Sequence, residues 1–151
     1  MDFEVLLDDA DAEGLEIKER PFRTYDGRIR GNNIYLRKDM DSTAKKCVLA
    51  EELGHHYTSV GEILDMSDTG NRKQERQARL WGYDKLIGLG RLISAYEHGC
   101  HDRFELAEYL EVTDEYLHEC IECYRDKYGP CVTVGDYYIM FIPNLQVGKI
   151  I

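Results

Sequence analysis

The sequence predicts an α+β protein, a small antiparallel sheet packed with a helical bundle. Three observations carry this. Short alternating segments broken by turn residues lie between about 15 and 37. Longer segments with helical periodicity and capping residues fill the middle of the chain. A second turn signal, Gly135-Asp136, separates two apolar runs near the end.

Residues 1 to 15 mix Val5, Leu6 and Leu7 with an acidic cluster, so a short helix or arm ending at Gly14 is expected. Two or three short antiparallel strands follow. Asp26-Gly27 and Gly31-Asn32-Asn33 mark their turns, and Pro21 interrupts the first. Asp41-Ser42-Thr43 offers N-caps for a helix over about 43–57, with Ala44, Cys47, Val48, Glu51 and His55 on one face. A polar loop is expected over Thr58–Asn71, then a helix over Lys73–Ile87. In that helix the small residues Ala78 and Gly82 permit close approach of a neighbour. Further helices are expected over 91–100, from Phe104 to Leu110, and over Asp114–Tyr128, the last capped by Thr113 and stopped by Gly129-Pro130. The chain then predicts a β-hairpin that ends at Pro143.

The chemistry concentrates in Ala50-Glu51-Glu52-Leu53-Gly54-His55-His56. Residues four apart on a helix lie one above the other, so Glu51 and His55 share a face. The H-E-x-x-H metalloprotease pattern uses this geometry, with two ligands at i and i+4 and a Glu beside the first as general base. Here the pattern reads E-E-x-x-H: Glu51 and His55 as ligands and Glu52 as base. A carboxylate is an acceptable zinc ligand. The competing reading is a solvated helix face, where a Glu-x-x-x-His pair contributes a few tenths of a kcal/mol. His56 lies about 100° round the helix from His55 and is not expected to share its ion.

The chain has 151 residues, 43% hydrophobic and 32% charged, which suits a soluble globular domain. No apolar run approaches a membrane span. The start, Met1-Asp2-Phe3-Glu4, lacks the basic opening of a secretory signal, and the chain is expected in the cytoplasm. A formal net charge of −10 argues against binding to the phosphate backbone of nucleic acid. Leu106-Ala107-x-x-Leu110-x-Val112-Thr113 resembles the first half of a helix-turn-helix, but the following helix, from Asp114 to Glu119, is acidic and repels phosphates. The five cysteines are expected as reduced thiols. Cys120 and Cys123 have zinc-pair spacing, with Cys100, His101 and His118 nearby, but sit in mid-helix, where buried thiols are expected.

With these residues laid out, the chain resembles the ImmA/IrrE family of zinc metallopeptidases, of the kind carried by phages and mobile elements. Cys47-Val48-Leu49-Ala50-Glu51-Glu52-Leu53-Gly54-His55-His56 is similar to the family's L-A-H-E-L-G-H helix. Glu75-Arg76-Gln77-Ala78-Arg79-Leu80-Trp81 is similar to its E-x-x-A helix. The similarity covers about residues 20–90. It implies a gluzincin-like centre in which His55, Glu75 and Glu51 hold the metal and Glu52 is the base. Taken alone, Glu75 reads as a first-turn Glu favoured by the helix dipole.

Glu51 stands where the family has its first His. The resemblance implies Zn²⁺ as the cofactor; a set of two carboxylates and one imidazole is harder than one with two imidazoles, so it is expected to hold Zn²⁺ less selectively and to accept Mn²⁺. The implied domain plan is one metallopeptidase-like domain over 1–151. It has the metal-site region at about 20–90, a helical region at 91–128 and a C-terminal β-hairpin at 129–143. The implied function is a zinc-dependent metalloendopeptidase that inactivates a helix-turn-helix repressor of a prophage or mobile element. The alternative is a catalytically silent relative that binds the repressor without cleaving it. Neither reading involves direct nucleic-acid contact or a membrane.

Overall fold

The computed structural model describes residues 1–58 and 69–151. The chain divides into two compact units, Met1–Lys85 and Leu86–Ile151. Helices and two small sheets make it α+β, as the turn and periodicity signals predict.

The first unit opens with helix α1 (Phe3–Ala12), which buries Leu6 and Ala10, an i, i+4 pair, and packs against α2 (Ser42–Thr58). Gly14 turns the chain at φ +77°, a region that favours glycine. Three strands follow, β1 (Glu16–Arg20), β2 (Gly27–Arg30) and β3 (Asn33–Arg37). β3 is central, and its alternating Ile34 and Leu36 are fully buried.

The pairing differs in one respect from the antiparallel set expected. β2 and β3 form an antiparallel hairpin, but β1 runs parallel to β3, with Ile17 opposite Ile34. The tight turn is Gly31-Asn32, whereas Gly27, expected in a turn, is the first residue of β2. The chain leaves β1 at Pro21, which cannot donate to a ladder, and crosses to the far edge before β2 begins.

Helix α2 starts where expected. The Asp41 carboxylate accepts a hydrogen bond from the Ala44 amide at 2.8 Å, satisfying one of the free donors at the helix start. Its buried side differs from the predicted stripe. Lys46, Cys47, Leu49, Ala50, Glu52, Leu53 and Gly54 are buried, while Ala44, Val48, Glu51 and His55 are half-buried. The helix meets α1 on one side and β2 and β3 on another, so burial covers a wider arc than one stripe. Helix α3 (Thr69–Leu86) closes the unit. Most of the polar loop expected over Thr58–Asn71 lies outside the described residues, and residues 69–71 belong to α3.

The second unit comprises α4 (Gly88–His98), α5 (Arg103–Leu110), α6 (Asp114–Tyr128) and strands β4 (Cys131–Val134), β5 (Tyr137–Met140) and β6 (Gln146–Lys149). The caps follow the predicted chemistry. Gly99 ends α4 in the left-handed region, Asp102 accepts from the Glu105 amide, and Thr113 accepts from the Tyr116 amide. The predicted hairpin forms across Gly135-Asp136, with Val134 opposite Tyr137. The sheet continues beyond Pro143 into β6, which pairs antiparallel with β5. Tyr138 stacks where Gly148 has no side chain, which explains a glycine inside that strand. The core gathers Leu92, Leu110, Leu117, Tyr124, Ile139 and Phe141.

Candidate metal centre

Two helices of the first unit bring Glu51, His55 and Glu75 together. Glu51 and His55 are one turn apart on α2, and Glu75 comes from α3. One ligand atom from each lies within 4.8 Å of the other two. His55 Nε2 stands 3.4 Å from Glu75 Oε2, and both side chains are less than one-fifth exposed. The helices approach this closely because Gly54 faces the Ala78 backbone, where a Cβ would meet the Ala78 carbonyl. The sequence pointed to small residues on α3; the residue that α2 must leave bare is Gly54.

The donor set fits a divalent cation. Ligand atoms around one zinc lie about 2.1 Å from it and hence about 3.4 Å from one another, so side-chain movement of about 1 Å closes the observed cluster. Carboxylate, imidazole, carboxylate is a hard-to-borderline set that suits Zn²⁺ or Mn²⁺. Among the described residues this is the one group of three or more His, Cys, Asp or Glu side chains close enough to share an ion, and Cys120 and Cys123 are not in such a group.

The protonation states follow from the packing. The hydrogen bond to Glu75 raises the His55 pKa above its ordinary value, against the effect of burial. The same bond lowers that of Glu75, with Arg79 adding to it. Glu52 sits one residue on from Glu51, about 100° round the helix. Burial pushes its carboxyl up to about 7, with His55 opposing and Glu51 and Glu75 reinforcing the shift. Its neighbour on the sheet is Gly27, the first residue of β2. A Cβ at Gly27 would run into Val48 and lie 3.4 Å from Glu52 Cγ and Oε1. Glu52 is thus buried beneath the start of β2. The reason is that β2 crosses α2 at this level.

His56 lies outside the cluster. Its Nε2 is 3.7 Å from Glu13, the C-cap of α1, and its ring meets Tyr57 edge-on. Tyr57 stacks on Trp81, and both help line a hollow of about 200 Å³ with Asp9, Glu13, Leu53 and Lys85. None of the three clustered ligands lines that hollow. One residue at the centre escaped the sequence reading. Arg79, one turn beyond Glu75, places Nε 3.5 Å from Glu75 Oε1 and 3.8 Å from Glu51 Oε1. The i, i+4 spacing of Glu75 and Arg79 was the available signal.

A stretch of 89 residues is 27% identical to the ribosomal RNA large subunit methyltransferase K/L of Marinobacter nauticus, covering 58% of this chain and 12% of that protein. The chain thus spans about an eighth of the length of that curated relative, and the likeness carries nothing about its activity. No solved structure matches. The family model for the IrrE N-terminal-like domain of the peptidase M78 family matches residues 10–121, which include α2, α3 and all five residues of the centre, Glu51, Glu52, His55, Glu75 and Arg79. The chain belongs to this peptidase family.

Proposed function

We propose that the protein is a metal-dependent endopeptidase, with Glu51, His55 and Glu75 holding Zn²⁺ or Mn²⁺ and Glu52 acting as general base. The observation that carries this reading is the convergence of the three donors from two helices, with Glu52 beside them. A divalent cation there would supply a Lewis acid for the scissile carbonyl and for a water. The chain's own residues do the rest. In the metal-free chain the Glu75 carboxylate holds the His55 ring through the Nε2 contact, which keeps the two ligands side by side. Glu52 accepts a proton from the attacking water and returns it to the leaving amine nitrogen. Packing of α2 against β2 keeps the Glu52 carboxyl in a restricted, partly dry position.

The substrate in this reading is a helix-turn-helix repressor of a prophage or mobile element, met in the cytoplasm. Support comes from the resemblance of residues 47–56 and 75–81 to the ImmA/IrrE metallopeptidases, and from a net charge of −10 that disfavours direct DNA contact. The test is to mix the metal-loaded chain with the repressor encoded by the adjacent gene and follow cleavage by mass spectrometry. Cleavage that stops with chelator and in Glu52→Gln is expected. A loaded chain that leaves the repressor intact overturns the reading.

A second reading has its own support in Glu51 and Arg79. Two carboxylates and a guanidinium can satisfy one another without a metal. The protein would then be a silent relative that binds the repressor and blocks it. Repressor binding that is indifferent to Glu52→Gln and to chelator favours this reading.

A further inference from the structure

We propose that Arg79 is an internal cation that competes with the metal for Glu51 and Glu75, and so sets the affinity of the centre. This rests on the metal-centre reading above. The guanidinium is placed between the two carboxylates, 3.5 Å from Glu75 and 3.8 Å from Glu51. Both contacts are made by Nε to the Oε1 atom of each acid. Those two acids are also two of the three donors of the cluster.

The charge arithmetic explains the arrangement. Glu51 and Glu75 bring two carboxylates to one spot, with the Glu52 carboxyl beside them. Two carboxylates this close repel each other unless a cation lies near. Arg79 supplies such a charge to both acids in the protein by itself. A guanidinium group is a permanent cation in proteins. A neutral residue at position 51 would leave the guanidinium a single carboxylate to hold. The acid at position 51 therefore both supplies a metal donor and completes the arginine's seat.

Arg79 is half-exposed and long, so its head can swing into solvent without disturbing the core. Loading a dication then requires the guanidinium to let go of both acids, because two positive centres would otherwise share the same oxygens. Repulsion of this kind, at an exposed site, is expected to weaken metal binding by about tenfold. The opposite role, in which Arg79 orients the carboxylates for the metal, would make its removal weaken binding.

The experiment uses the full chain, stripped with chelator and titrated by calorimetry with Zn²⁺ alone and Mn²⁺ alone. Arg79→Gln removes the charge at similar length, and Arg79→Lys keeps it. Arg79→Gln is expected to bind both ions about tenfold tighter than the parent, with Arg79→Lys close to the parent. Binding by the variant but not by the parent is the same result in stronger form. Equal or weaker binding by Arg79→Gln, with a parent that binds, overturns this inference and leaves the metal centre standing. So does an Arg79→Lys protein that behaves like Arg79→Gln. Failure of all three proteins to bind either ion overturns the metal centre and the inference together. Circular dichroism and melting curves on each variant establish that the comparison is between folded proteins.

Discussion

Gly54 of α2 lies against the backbone of Ala78 of α3, with no side chain between them. His55 follows Gly54 directly, and Glu75 lies one helical turn before Ala78. This contact sets the spacing of the two helices and hence the 3.4 Å approach of His55 to Glu75.

Gly54→Ala should therefore force the helices apart. Overpacking against backbone, which cannot rotate away, is expected to cost about 1–3 kcal/mol or more, visible as a fall in melting temperature. Metal binding should fall with it. Gly90→Ala in α4 is the control, because a Cβ there meets nothing within 4 Å. It should be neutral or stabilising by up to about 1 kcal/mol, through helix propensity. Equal behaviour of the two variants would show that the close approach is unimportant.

Glu52→Gln should abolish cleavage while keeping the fold and the metal. It should also change the pH dependence of stability in the metal-free protein. The folded pKa of Glu52 is about 7, against an ordinary 4.5, so the folded state binds the proton more tightly. Its penalty is absent at low pH and grows as pH rises from about 4.5 to about 7. On the order of 3 kcal/mol is at stake over that window. Glu52→Gln should flatten the decline in denaturation curves collected across it. A variant curve parallel to the parent's would contradict the buried carboxyl.

The His55–Glu75 pair makes the opposite kind of contribution. His55 is raised, so its share is complete at low pH and is lost as pH rises through its folded pKa. Glu75 is lowered, so its share is complete at high pH and is lost as pH falls through its folded pKa. The stabilisation is greatest between the two. His55→Gln in metal-free protein should cost most stability in that middle window and least at either end, measured by urea denaturation. With metal present, the same variant should lose both metal and cleavage. A cost independent of pH would show that the pair is not ionised as described.

Gly27→Ala tests the lid that β2 places over Glu52. The added methyl meets the Val48 side chain, which must turn aside, and approaches Glu52. A loss of about 1–2 kcal/mol in stability is expected. In the loaded enzyme, kcat should fall more than metal affinity, since Gly27 touches the base and not the ligands. A fall in metal affinity with kcat unchanged would place Glu52 in a different role.

Much of this was legible in the chain because it depends on neighbours in sequence. Thr113 caps α6, Gly99 ends α4 and Gly135-Asp136 turns β4 into β5, each by local hydrogen bonding or by a backbone angle that suits glycine. The helical pitch alone put Glu51 over His55 and turned Glu52 and His56 away from that face. β6 was not legible, because Gln146-Val147-Gly148-Lys149 has no alternation and its glycine serves the ring of Tyr138.

What the amino-acid order determined by itself was therefore the elements other than β6 and the pair on α2. Tertiary structure decided the rest: that β1 lies parallel to β3, that Glu52 is buried beneath β2, and that Arg79 reaches both acids of the cluster. The physical reason is range. Caps, turns and i, i+4 pairs are settled within a few residues. The approach of Glu75 to His55, by contrast, depends on how closely two helices can pack, and a single missing Cβ at Gly54 sets that distance.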